Sequence, residues 1–219
     1  MSKDYLMRKD IYSLIKEKIV SGSFLPGQRL NVRNLADILH ISTTPVRDAL
    51  LKLSNEGFVE VFPRRGFFVK ALSEKEVLDI IEARIMVEGF CINNYFDEIK
   101  KCEDIDSLKE KMLEVKQTKN RKLFDELDKK FHSAIICASY NNNIIRFFNE
   151  LWEKIEILRR HNERFMKSNE EHLKIILSIL ADNKKKAYKA LLIHLSNVKK
   201  ETLYSLNEGI KTITRGGVL

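Results

Sequence analysis

At 219 residues the chain is long enough for two domains of ordinary size, and its 39 Lys and Arg against 31 Asp and Glu leave a formal charge of +8. No apolar run approaches the roughly 18 residues that a bilayer-spanning helix requires, and Met1 to Arg8 lacks the apolar core of a cleavable signal. Cys91, Cys102 and Cys137 are odd in number and lack CxxC spacing, which excludes a disulfide framework and a cysteine-held metal; reduced thiols in a cytoplasmic protein are expected.

Three amphipathic helices are predicted between Ile11 and Leu53. The first carries Ile11, Leu14, Ile15 and Ile19 on one face, the second Leu35, Ile38 and Leu39, the third Val46, Ala49, Leu50 and Leu53. Thr44 is the expected cap of the third, with Pro45 at its first helical position and Gly57 providing a left-handed exit. Two short strands, Phe58–Phe62 and Phe67–Lys70, follow around a turn, Pro63-Arg64-Arg65-Gly66, that places two arginines on a hairpin tip. A helix with a polar N-terminus beside a basic hairpin suits base reading in the major groove together with phosphate anchoring.

The segment from Arg33 to Val59 resembles the GntR family of bacterial transcription regulators. The matching residues are Arg33, Leu35 to Leu39, Ser42, the run Thr44-Pro45-Val46-Arg47-Asp48-Ala49-Leu50, Leu53 and Glu56-Gly57-Phe58-Val59. The resemblance implies a winged helix-turn-helix and a double-stranded operator contacted by Arg33, Ser42, Thr44, Arg47 and Gly66. Arg65, at the wing tip, joins this set by its position. Thr43 stands where the family commonly carries arginine, so it too is assigned to the DNA-contacting set, as the position where operator preference would depart from the family's. Charge agrees: residues 1–72 hold 12 basic and 7 acidic side chains, residues 73–219 hold 27 and 24, so the positive excess is concentrated on the smaller segment. Lysine runs at 184–186 and 199–200 read as solvated helix faces.

Turn-forming residues mark the division of the chain. Pro26, Pro45, Pro63 and four of the eight glycines precede residue 67, and between Phe67 and Glu208 only Gly89 remains. A winged domain over 1–72 and an all-helical domain over 73–219 are therefore expected, with Ser73-Glu74-Lys75-Glu76 as a capping box at the boundary. About six helices are predicted in the second domain: Glu74–Tyr95, Ile105–Lys116, Arg121–Ser139, Asn143–Phe165, Asn169–Ala181 and Lys184–Asn207. The fourth carries Phe147, Phe148, Leu151, Ile155 and Leu158 on its apolar stripe.

Polar residues on apolar stripes are the distinctive feature of this bundle. Asp128 and His132 share one helix face with Phe124 and Ile135, His172 aligns with Ile176 and Ile179, and His194 aligns with Ala187, Ala190, Leu191 and Val198. Ser168 and Glu171 have capping-box spacing ahead of His172. Burying a carboxylate beside three imidazoles is costly without a cation, and one oxygen with three nitrogens suits Zn²⁺, Ni²⁺ or Mn²⁺ better than Ca²⁺ or Mg²⁺. The order Asp-x3-His, a histidine 40 residues on and another 22 later resembles the FCD effector domain of the FadR-type branch of the GntR family. That resemblance implies that Asp128, His132, His172 and His194 ligate a divalent metal, with zinc the first expectation and nickel or manganese the alternatives. Glu82-Ala83-Arg84 and Glu88 also resemble that domain's first helix, which makes Arg84 a candidate grip for a small carboxylate effector or, alternatively, the partner of Glu88. His40 and His161 fit neither pattern.

The sequence is thus expected to encode a metal-containing, effector-responsive regulator that binds a palindromic operator as a homodimer and has no membrane partner. The alternative is a helical metal-dependent hydrolase fused to a DNA-targeting domain. It lacks an HExxH motif and an adjacent His-Asp pair, so an enzyme is not expected.

Overall fold

The computed structural model describes residues 3–102, 104–160 and 164–216, arranged as two compact units, Met1–Ser73 and Glu74–Leu219. The smaller unit runs α1 (Lys3–Val20), β1 (Arg29–Leu30), α2 (Val32–Leu39), α3 (Thr43–Asn55), β2 (Val59–Phe62) and β3 (Gly66–Val69). Its strands form an antiparallel sheet in the order β1-β3-β2, with Arg29 opposite Phe68 and Val59 opposite Val69. Ile11, Ile15 and Ile19 of α1 pack with Val46, Leu50 and Leu53 of α3, and Phe58, Phe67 and Val69 close the core beneath the sheet. The two-residue strand β1 has no alternating pattern long enough to announce itself in the sequence.

Two local expectations are corrected here. Helix α3 begins at Thr43 with Ser42 as its N-cap, so Thr44 is not the cap and Pro45 falls at the third helical position. The first four helical N–H groups all lack intrahelical partners, so proline is tolerated there without marking the first residue. On α2 the stripe centres on buried Ala36, which turns Ile38 outward at 71% exposure. Asn31 caps that helix by accepting from the N–H groups of Arg33 and Asn34. Gly57 does provide the left-handed exit from α3, at φ 81°.

The larger unit is helical throughout: α4 (Glu74–Asn94), α5 (Phe96–Lys101), α6 (Asp104–Thr118), α7 (Arg121–Cys137), α8 (Asn142–Arg160), α9 (Phe165–Leu180) and α10 (Lys184–Gly216). Helix α5 is an addition to the six predicted. The predicted fourth helix, drawn to Phe165, corresponds to α8, which is described to Arg160, and Phe165 instead opens α9; residues 161–163, with His161, and the side chain of Leu158 lie outside the described residues. Phe147 is 41% exposed rather than inward, because Phe148, Trp152 and Ile155 define the buried face of α8. Helix α10 lies along both α4 and α9, while α6 packs on α7 and α9. Gly89 permits the α4–α10 approach: a Cβ there would stand 3.0 Å from Cε2 of Tyr188. This packing directs α4, α7, α9 and α10 toward one interior point.

Candidate metal centre and DNA-binding face

Four side chains from three helices meet at that point. His132 comes from α7, His172 from α9 and His194 from α10, and each is almost completely buried. Ligand-capable nitrogens of the three imidazoles all lie within 4.8 Å of one another. Nε2 of His172 is 3.2 Å from Nε2 of His194, close to the edge of about 3.3 Å expected for a tetrahedral zinc site with bonds near 2.0–2.1 Å. Asp128 Oδ1, one turn before His132, is 3.4 Å from His172 Nε2 and 3.7 Å from His132 Nε2. The second oxygen of Asp128 is 2.8 Å from Nε of Arg159 on α8.

The surroundings keep His172 and His194 unprotonated, the form in which an imidazole can ligate a metal. Burial pushes His172 well below the ordinary imidazole pKa, reinforced by His194, His132 and the nearby arginines. Burial likewise lowers His194 to about 4, and Glu171 only partly opposes this. A neutral His194 whose Nδ1–H points to Glu171 Oε2, 2.8 Å away, presents a lone pair on Nε2. The gap to His172 Nε2 must then hold either one shared proton or a metal ion. His172 Nδ1 is buried and has no hydrogen-bond partner among the described residues. Three buried imidazoles and a buried carboxylate are a donor set that fits a divalent metal.

Two further carboxylates stand behind this set. Glu88 Oε2 is 2.7 Å from His132 Nδ1, and its other oxygen accepts from Nε of Arg84 at 2.7 Å. Burial would raise the Glu88 carboxyl, but Arg84 and His132 outweigh it and hold it at about 2. Burial opposes ionisation of Glu171 as well, yet hydrogen bonds from His194, Arg164 and Asn197 bring it to about 2. Helix α9 already begins at Phe165, so Ser168 and Glu171 are not a capping box: Ser168 accepts from Arg164 and Glu171 belongs to the cluster. Arg84 is the partner of Glu88, the second of its two readings. Its Nη2 lies 3.0 Å from Nε2 and 3.1 Å from Nδ1 of His132 at the edge of a cavity. That cavity, about 30 Å³ and open to solvent on one side, is lined by Arg84, Arg121, Arg159, Arg164, Phe124 and His194 among others. Its four guanidinium groups are each paired with a carboxylate, Arg84 with Glu88, Arg121 with Asp125, Arg159 with Asp125 and Asp128, and Arg164 with Glu171.

In the smaller unit, Arg33, Ser42, Thr43, Thr44, Arg47 and Arg65 are all exposed, and Gly66 is half-buried. Ser42 makes no side-chain capping bond, so the N-terminus of α3 offers hydroxyls and free N–H groups on one surface. Arg65 folds over the wing, its guanidinium 5.7 Å and 5.6 Å from the ring centres of Phe62 and Phe68. Gly66 adopts φ 99°, a conformation costly for residues with a Cβ.

A winged helix-turn-helix and a helical unit with a buried polar cavity together define a DNA-binding transcriptional regulator with an effector domain. Residues 7–69 match the family model for bacterial regulatory proteins of the gntR family, and residues 79–197 match that for the FCD domain. The chain belongs to the GntR family of transcriptional regulators, in its FadR-like, FCD-containing branch. It is 27% identical to the HTH-type transcriptional regulator YdhC of Bacillus subtilis (strain 168), over 90% of this chain and 92% of that one. It is 30% identical to the Nta operon transcriptional regulator of Aminobacter aminovorans, over 75% of this chain and 79% of that one. The Zn²⁺-bound FCD domain of the transcriptional regulator TM0439 is 38% identical with a TM-score of 0.59, covering 62% of this chain and 97% of that domain. Its metal-free form has a TM-score of 0.62, covering 63% and 99%. These relatives are named as regulators, not hydrolases. Among the described residues, no helix is long and apolar enough to cross a membrane.

Proposed function

We propose that this chain is a cytoplasmic, metal-containing regulator that binds a palindromic operator as a homodimer and responds to a small organic acid. The observation that carries the reading is the convergence of three buried imidazoles and Asp128 beside an arginine-lined cavity. Asp128, His132, His172 and His194 hold the metal, zinc before nickel or manganese; the zinc in the related FCD domain supports this choice. When bound, the metal supplies a Lewis-acidic anchor for a carboxylate oxygen. Arg84 grips the same anion from the cavity wall, and Phe124 shields it from water. Arg33, Ser42, Thr43, Thr44 and Arg47 read or anchor the half-site, with Arg65 and Gly66 on the wing.

A winged domain reads one half-site, so two related half-sites call for two copies of the chain. Sedimentation at micromolar concentration is expected to give a dimer, and a monomer binding an isolated half-site at full strength would contradict the assembly. The effector reading is tested on duplexes selected from a random library. Zinc-loaded protein is titrated into them with and without a panel of small mono-, di- and hydroxycarboxylates. At least one acid should change operator affinity by about 5- to 150-fold, the usual size of an allosteric coupling. Unchanged affinity with every acid, or the same response in chelator-stripped protein, would overturn it.

A further inference from the structure

Glu88 and Glu171 divide their oxygens in the same way, although they come from different helices. In each, Oε2 meets the outward-facing Nδ1 of a cluster histidine: Glu88 that of His132 at 2.7 Å, Glu171 that of His194 at 2.8 Å. In each, Oε1 is held by an arginine that lines the cavity. Arg84 Nε donates to Glu88 at 2.7 Å, and Arg164 Nη2 donates to Glu171 at 2.6 Å. Asn197 Nδ2 on α10 adds a second hold on Glu171 Oε1, at 2.7 Å. An Arg–Glu pair that served only to fill the core would not need a histidine N–H on its second oxygen, let alone twice. Among the described residues His172 has no such support, its Nδ1 finding no partner there.

We propose that Glu88 and Glu171 are positioning residues of the metal centre: each fixes the tautomer of its histidine so that Nε2 turns a lone pair inward, and each ties that histidine to an arginine on the cavity wall. The proposal rests on the metal reading above. A carboxylate accepting Nδ1–H holds the ring against rotation and raises the electron density on the ligating nitrogen. His132 and His194 are thereby presented as prepared donors, and His172 completes the set.

The test uses the full chain stripped of metal by chelation, then titrated with zinc against a chromophoric chelator. Glu171→Met, which removes the acceptor, should bind zinc about 10- to 100-fold more weakly than the parent. Glu171→Gln keeps an acceptor without the charge and should fall between the two. Nitrogen-15 spectra of the histidine side chains in metal-free protein supply a signature that a purely structural role would not move. In the parent, His194 should carry its proton on Nδ1; in Glu171→Met that preference should be lost. Should Glu171→Met fail to fold, Glu88→Gln tests the same arrangement at His132, with a weaker zinc affinity expected. Folded variants with parental zinc affinity and an unchanged tautomer would overturn the positioning role while leaving the metal site standing. A parent that takes up no zinc would overturn the metal reading itself.

Discussion

His194→Ala is expected to abolish stoichiometric metal uptake and to lower the thermal midpoint by about 6–12 °C in the presence of zinc. Asp128, 6% exposed at its side chain, keeps Arg159, His172 and His132 beside it but loses the compensating metal, while Glu171 loses its hydrogen bond from His194 Nδ1. Breaking a buried charge arrangement costs about 3–5 kcal/mol, and a domain of this size shifts by roughly 2–4 °C per kcal/mol, so even the lower cost accounts for the range given. Metal bound only by the folded state adds stabilisation that grows with free zinc. Thermal denaturation with zinc or with chelator, alongside elemental analysis, checks both parts. The parent should lose stability on chelation, and His194→Ala should be indifferent to it. A parent whose midpoint ignores both zinc and chelator would remove the basis for the prediction.

The second large effect concerns DNA. Arg47 is exposed one turn into α3, on the side that carries Thr43 and Thr44, whereas Arg65 lies folded over Phe62 and Phe68 at the wing tip. Arg47→Ala is expected to cost about 1–3 kcal/mol on the selected operator and to relax preference at one base position. Arg65→Ala should weaken binding to selected and scrambled duplexes alike and reduce the slope of log affinity against log salt by about one unit. Arg33→Ala takes the base-reading behaviour instead if Thr43, in place of arginine, has shifted the reading helix on its site. Fluorescence anisotropy across a salt series separates these outcomes. Parental affinity in all three variants would mean that the N-terminus of α3 and the wing are not the surface that meets DNA.

How far such assignments are legible in a sequence depends on how local their causes are. The winged unit is written in short-range signals: Gly57 after an apolar-periodic helix, then two strands on either side of Pro63 to Gly66. The inward direction of Asp128, His132, His172 and His194 follows from their spacing relative to apolar neighbours on their own helices, because helical period alone decides which face a residue occupies. Glu171 is the instructive failure. Ser168 and Glu171 have the spacing of a capping box, and that spacing cannot say whether a helix starts at Ser168 or one turn earlier. The earlier start at Phe165 turns Glu171 into the partner of His194 and Arg164. Arg159 and Arg164 gave no local signal at all, since their role arises only when α8 and α9 bring them to Asp128 and Glu171. Ile38 shows the converse limit: in a helix of eight residues, shifting the centre of the stripe to Ala36 exposes a side chain that periodicity alone would bury.

The central claim, that these four residues form a metal centre inside the effector domain, is tested most directly by diffraction at the zinc absorption edge from crystals of the zinc-loaded full chain. The account predicts one anomalous peak per chain, about 2.0–2.2 Å from the inward nitrogens of His132, His172 and His194 and from an oxygen of Asp128. Zinc found only on surface side chains, with no peak among these four residues, would contradict it.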